Sequence, residues 1–248
     1  MAKWPRLIVF GDVDAMFASA AIVADPSLAG KPVAVGGSPP RGIIAAASYA
    51  VRPFGVHSAM PTAHALKLCP DLILVPPDRP LYQRLHERMR QVTGQFFPAT
   101  EWSSIDEFYA DATDLQLLHP DPAALGRTVK DALFEATGLC CTIAIATSKP
   151  VAKVAADAHK PDGLAVIEPG TEAAFLAPRP VKSLSGIGPK TAESLERIGV
   201  RMIGDLLEPR FESSLRRIWG KRLPVIQALA RGMDDDPVIP DREQKSTG

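Results

Sequence analysis

Cysteine is scarce in this chain: Cys69, Cys140 and Cys141 are the only three in 248 residues. Adjacent Cys140 and Cys141 are poorly placed to bridge each other, and there is no C-x-x-C pair. This excludes a disulfide scaffold and a zinc ribbon, and points to buried thiols in a reducing, cytoplasmic compartment. Long apolar runs are also missing. Leu7–Phe10 is too short for the apolar core of a secretory signal and runs straight into Gly11-Asp12. No stretch approaches the length of a membrane span, so the expectation is a protein with no membrane partner. An excess of charge of either sign is missing as well. The 28 Lys/Arg balance 28 Asp/Glu, so global charge does not argue for nucleic acid. Internal repeats and low-complexity tracts are absent.

What is present is a core-forming composition with uneven charge. Hydrophobic residues make up 46% of the chain, enough for one large domain or two modest ones. From Arg179 to Arg231 there are 11 Lys/Arg against 5 Asp/Glu, a local excess of six positive charges that the rest of the chain must offset. An acidic body joined to a basic segment suits a protein that grips a phosphate backbone on one side. A solvated basic face would show the same composition.

Hydrophobic periodicity predicts strands at Arg6–Val13, Pro32–Val35, Ile43–Ala47, Leu72–Val75, Thr100–Ile105, Phe108–Asp111, Cys140–Ala146 and Leu164–Ile167. Helices are expected at Ala15–Ala24 with Asp14 as N-cap, and at Ser48–Phe54, Pro61–Leu68, Leu81–Phe97, Pro122–Thr137 and Val151–Ala158. Strands and helices alternate as in an α+β fold around a mixed sheet, with a helical insertion between residues 48 and 70. Composition shifts at Ala177-Pro178-Arg179-Pro180, and beyond it the pattern is all helical, with Gly199-Val200 as a helix stop. The segment from Pro237 to Gly248 is charged, contains proline and reads as a linker.

The most telling residues are acidic. Asp106-Glu107 lies inside the apolar, strand-like stretch Ser103–Asp111, where unpaired carboxylates are costly. No Lys or Arg lies between Gln91 and Gly126, so compensation must come from elsewhere in the fold or from a metal. A second cluster, Asp12-Val13-Asp14, ends the first apolar run. Two strand-borne acidic clusters brought to one face are what a two-metal site requires, because hard divalent cations take oxygen ligands. Either cluster alone reads as a turn former.

Tyr49 and Arg52, three apart on one short helix, and Lys160, before the Pro161-Asp162-Gly163 turn, offer a hydroxyl, a guanidinium fork and a point charge suited to a triphosphate. Taken singly, each also reads as a surface side chain with a snorkelling charge. Gly186-x-Gly188-x-Lys190 sits between two helical stretches, where backbone N–H groups at a helix start can meet a DNA phosphate. An ordinary helix–helix turn is the bland alternative.

Five segments in order carry a resemblance: Asp12-Val13-Asp14-Ala15-Met16-Phe17-Ala18, Ser48-Tyr49-Ala50-Val51-Arg52-Pro53-Phe54-Gly55-Val56, Ser104-Ile105-Asp106-Glu107, Ala152-Lys153 through Lys160-Pro161-Asp162-Gly163, and Gly186-Ile187-Gly188. Together they resemble the Y-family translesion DNA polymerases, nearest the DNA polymerase IV or DinB group. The resemblance implies a palm at residues 1–19 and 76–178 with a ferredoxin-like mixed sheet, and small fingers at 20–75. It also implies a helical thumb with a helix-hairpin-helix at 179–236 and a linker at 237–248. Asp12, Asp106, Glu107 and the Val13 carbonyl would hold two Mg2+ ions, with Mn2+ as a substitute. Phe17 would be the steric gate against a ribose 2′-hydroxyl. Ala15, Met16, Ala45, Tyr49, Arg52 and Lys160 would meet the dNTP. Ser104, Gly186, Gly188 and Lys190 would hold primer-template DNA without reading its sequence. Loose fingers built of small residues, Ile43 to Ala47, imply low fidelity.

Met16, Ala46, Ala50 and Ser148 depart from the family pattern, where an aromatic, Thr, Glu and Asn are usual. These departures bear on nucleotide affinity and sugar selection, not on the metal site. The family carries a little-finger domain after the thumb. The sequence stops at the start of the connection to it, so a partial form is expected, with DNA grip and contact to a sliding clamp reduced. A monomer is expected. A non-catalytic DNA-binding scaffold of the same family is the alternative, opposed by the retained Asp12, Asp106 and Glu107. A nucleotidyl cyclase with a similar palm is opposed by Phe17 and by the glycine hairpin.

Overall fold

The computed structural model describes residues 4–240. Its larger sheet has five strands: β1 (Ile8–Val13), β5 (Thr100–Trp102), β6 (Glu107–Asp111), β7 (Cys141–Ala146) and β8 (Leu164–Val166). They lie in the order β5-β6-β1-β7-β8, antiparallel except for the parallel β7–β8 pair. The smaller sheet, β3-β2-β4, is formed by β2 (Val33–Gly36), β3 (Ile44–Ala47) and β4 (Ile73–Val75). Between residues 48 and 70 the chain is helical, as expected, with a 3-10 helix at Tyr49–Phe54 and an α-helix at Thr62–Leu68, and the strands of the smaller sheet flank this insertion in sequence.

Strand β1 is buried along its whole length, and period-two alternation sorts its side chains between two cores. Leu7, Val9 and Val13 join the core under helices α3 (Arg79–Phe96) and α4 (Pro122–Thr137). Ile8 and Phe10 join the opposite core, with helix α5 (Lys149–His159). The same alternation on β7 puts Ala144 and Ala146 toward α5, whose inner face is itself small: Ala152, Ala155 and Ala156. Small residues on both surfaces let helix and sheet approach closely. Gly11, in mid-strand, is required by packing, since a Cβ there would lie 2.2 Å from the Phe108 ring.

Helix α1 (Met16–Ala24) leaves β1 toward the small sheet, whose own core is built on Ile44, Ala47, Val51, Met60 and Ala65. Helix α2 (Thr62–Leu68) flanks it. The expected cap of α1 is corrected by the structure. Ala15 takes the N-cap position in the left-handed region (φ 48°), and no side chain caps the helix. The Asp14 carboxylate points inward instead.

After α6 (Glu172–Leu176) the chain is helical: α7 (Pro189–Arg197), α8 (Glu212–Trp219) and α9 (Leu223–Ala230), joined by 3-10 turns. Leu184, Ile187, Leu195, Leu206, Leu215 and Leu223 extend the α5-side core into this region. Ten of its 11 Lys/Arg are exposed, all but half-buried Arg179. The part of the expected linker at 241–248 lies outside the described residues. The part before it is not free. Its Ile239 amide donates to buried Glu101 at 2.8 Å and its Pro237 carbonyl accepts from Lys149 at 2.5 Å, and just before it Arg6 donates to the carbonyls of Asp234 and Asp236 at 2.9 and 2.8 Å.

Candidate active site

Antiparallel register sets Asp12 of β1 directly opposite Glu107 of β6. One residue further, the Val13 amide donates to the Asp106 carbonyl at 3.0 Å, so the turn before β6 is tied to the end of β1. Asp12 and Glu107 share the alternation parity of Phe10 and Tyr109, so their side chains emerge on the α5 face. The compensating cations come from there. Lys160 Nζ lies 2.5 Å from Asp12 Oδ2, and Lys153 Nζ lies 2.6 Å from Glu107 Oε1. One helical turn before Lys153, Lys149 pairs with Glu101 at 2.5 Å. Lys149 and Lys153 also sit over the Tyr109 and Phe10 rings, at 5.5 and 5.0 Å from the centroids.

Asp106 is held by its own turn. Ser104 Oγ donates to Asp106 Oδ1 at 2.5 Å and accepts from the Glu107 amide at 3.0 Å. Ser104, expected at the DNA, is thus also a brace for a carboxylate. His86 of α3 supports the turn from below, with Nδ1 donating to the Ile105 carbonyl at 2.9 Å and its ring edge-on to Trp102 at 4.6 Å.

Burial pushes the Asp12 carboxyl up to about 6; Lys160 pulls it down, while the charges of Glu107 and Asp106 push it further up. The charges of Glu107 and Asp106 thus reach Asp12, so the three carboxylates act on one another electrostatically. Among the described residues, no three carboxylate, His or Cys groups converge as a ready metal cage. Instead, each of the three carboxylates holds a lysine or a hydroxyl. The donor set of carboxylates and a backbone carbonyl is all oxygen, which fits hard divalent cations and does not fit zinc in a thiolate site.

Of the nucleotide-side candidates, Tyr49, Arg52 and Lys160 lie beside this cluster. The Arg52 guanidinium stacks on the Tyr49 ring at 3.7 Å, as their spacing predicts. Tyr49 donates to Asp14 Oδ1 at 3.3 Å; burial and the Asp14 charge push its phenol up to about 12, so it stays a donor. Phe17 is half-buried and stacks on Tyr82 at 4.3 Å. Met16 is buried in the core below α3, whereas Ala15 is half-buried at the head of α1. Ala45 is exposed on β3 between buried neighbours. Ser148 is buried and donates to the Gly232 carbonyl at 2.9 Å, a contact that ties the head of α5 to the helical region.

Gly186, Gly188 and Lys190 stand apart on the hairpin before α7. Gly186 needs its glycine (φ 88°), whereas Gly188 does not; a Cβ at either would meet nothing within 4 Å, so the backbone here is open to an approaching group. Lys190 is exposed. The partner turn before the hairpin is a single 3-10 turn, Val181–Ser183.

The impB/mucB/samB family model matches residues 11–157, and the model of the IMS family HHH motif matches residues 169–200. The chain belongs to the Y-family DNA polymerases, in the DNA polymerase IV (DinB) group. It is a DNA-directed DNA polymerase of the translesion type. DNA polymerase IV of Halorhodospira halophila is 39% identical over 244 residues, covering 98% of this chain and 68% of that protein. DNA polymerase IV of Methanoculleus marisnigri is 39% identical over 242 residues, covering 96% and 67%. Among solved structures, the insertion ternary complex of Dbh DNA polymerase superposes with a TM-score of 0.85 at 30% identity, covering 94% of this chain and 69% of that one. DinB from Sulfolobus solfataricus gives 0.85 at 29% identity, with the same coverage.

Sequence reasoning missed Lys149, Lys153 and the inward turn of Asp14. A signal existed for the lysines, which lie four apart on one face of a helix. Their partners, however, are fixed only by the sheet order.

Proposed function

We propose that this polymerase adds dNTPs to a primer 3′ end through two Mg2+ ions, replaceable by Mn2+, held by Asp12, Asp106, Glu107 and the Val13 carbonyl. The register of Asp12 on Glu107, locked by the Val13–Asp106 hydrogen bond, carries this reading. Ions held by these residues would supply a lowered pKa for the attacking primer hydroxyl and neutralisation of charge on the leaving pyrophosphate. Lys160 has one cationic head and two anionic claimants, Asp12 and the nucleotide triphosphate. It therefore answers to the charge state of the carboxylate cluster. Arg52, stacked flat on Tyr49, presents its fork to the triphosphate with little orientational freedom to lose. Phe17, backed by Tyr82, closes the space beside the sugar.

The assignment of palm to 1–19 and 76–178, fingers to 20–75 and thumb to 179–236 follows the two sheets and the helical region. Gly186, Gly188, Lys190 and the exposed basic residues of the thumb hold duplex phosphates. The exposed Ala45 and its small neighbours leave the nascent pair loosely enclosed, which favours low fidelity. A cytoplasmic monomer rests on the family resemblance, as does contact with a sliding clamp through the region that follows the thumb in the family. Among the described residues, no helix is long and apolar enough to cross a membrane.

Primer extension on a primed template with four dNTPs tests the activity. Extension that follows the template and stops with EDTA is expected. No extension at any Mg2+ or Mn2+ concentration would contradict it.

A further inference from the structure

Asp14 has no part in the roles assigned above, yet its carboxylate is almost fully buried, at 3% exposure. It accepts hydrogen bonds from three separate parts of the fold. Tyr49 donates from the small sheet's side at 3.3 Å, Thr142 Oγ1 donates from β7 at 3.1 and 3.2 Å, and the Asp162 amide donates from the turn after α5 at 2.7 Å. Each arm reaches a residue of the proposed nucleotide site. Tyr49 carries Arg52 on its ring at 3.7 Å, and the 160–162 turn carries Lys160. Thr142 in turn receives the Gly163 amide at 3.2 Å, which closes the loop between β7 and that turn.

The fingers-side cation and the palm-side cation thus hang from one buried anion. A buried carboxylate with only neutral donors is costly to keep. A helix-capping role, which would explain it cheaply, is not what it does. We propose that Asp14 is a positioning residue that sets the separation and orientation of Arg52 and Lys160, and so the affinity for the incoming nucleotide's triphosphate. This rests on the functional reading above. Asp14 does not touch the reacting atoms, so its loss raises KM for dNTP and leaves kcat and the Mg2+ requirement largely intact.

The test is steady-state extension by Asp14→Ala, Asp14→Asn and Tyr49→Phe, alongside amide exchange of Asp162 in the nucleotide-free chain. Asp14→Ala is expected to raise KM for dNTP about 10-fold or more, the scale of lost hydrogen bonds to a charged acceptor, with kcat within about 3-fold. Its Asp162 amide should exchange faster. Asp14→Asn should largely rescue both, because an amide can accept from Asp162 while it donates to the Thr142 hydroxyl. If Asp14→Ala does not fold, Tyr49→Phe still removes one arm and must raise KM. Where Asp14→Ala folds, the Tyr49→Phe effect should shrink when the two are combined, since both act through one contact. An active wild type with unchanged KM in Asp14→Ala and Tyr49→Phe, or with kcat or the Mg2+ requirement lost instead, overturns the proposal alone. A wild type that extends no primer overturns the functional reading.

Discussion

Lys160 Nζ sits 2.5 Å from Asp12 Oδ2, in a pair where the carboxylate is nearly buried (5% exposed) and the lysine is partly solvated (22%). The cation comes from the turn after α5, far along the chain from β1. It is one answer to the question that the acidic strand ends pose: what neutralises them. Lys153 is the other, on Glu107.

Removing Lys160 leaves Asp12 buried without its cation. Lys160→Met should destabilise the metal-free chain by about 1–3 kcal/mol, at the lower end for buried pairs because the lysine is partly exposed. Mg2+ should recover part of the loss, and so should pH below about 6, where Asp12 takes a proton. Urea unfolding with and without Mg2+ measures this. A loss identical in both conditions would argue against a cation at Asp12.

The raised Asp12 pKa has a direction that can be checked. The folded state binds this proton more tightly than the unfolded chain, so the proton's contribution to stability is complete below the ordinary aspartate value of 3.8 and lost as pH rises through about 6. A metal needs the ionised form. Mg2+ affinity should therefore be flat above about pH 7 and fall below about 6, with proton release on binding. Calorimetric titration in two buffers of different ionisation enthalpy reads that release. An affinity unchanged down to pH 5 would exclude Asp12 as a ligand.

Phe17 stacked on Tyr82 is a rigid wall rather than a loose ring. Phe17→Ala should raise ribonucleotide incorporation relative to deoxyribonucleotide by about 10-fold or more while the carboxylate cluster is untouched. Competition extension with rNTP and dNTP measures the ratio. An unchanged ratio would remove Phe17 from the gate.

Glu101 binds both Lys149 and the Ile239 amide, and Lys149 also donates to the Pro237 carbonyl at 2.5 Å. Glu101→Ala should release this strap and strand Lys149, at a cost of about 3 kcal/mol. Exchange of the Ile239 amide should accelerate ahead of global unfolding. Protection equal to wild type would show that the strap is held by other contacts.

The legible parts of this protein are those written locally. The strand runs on either side of Asp12 and Asp106-Glu107, the Tyr49–Arg52 spacing and the glycine hairpin at 186–188 were all visible as pattern. What was hidden depends on sheet order and on competition between partners. Asp14 precedes a helix and has the residue type of a cap, yet hydroxyl and amide donors from distant segments capture its carboxylate. Lys149 and Lys153 look like a solvated helix face until β6 is placed beside β1. Segment 237–239 has linker composition, but its backbone finds Lys149 and Glu101.

The most direct test of the two-metal site is single-turnover extension by Asp106→Ala Glu107→Ala beside wild type, with folding and DNA binding verified for both. Loss of incorporation by at least about 1,000-fold with DNA binding retained is the expected result. Incorporation near the wild-type rate would contradict the assignment of these carboxylates as the catalytic metal ligands.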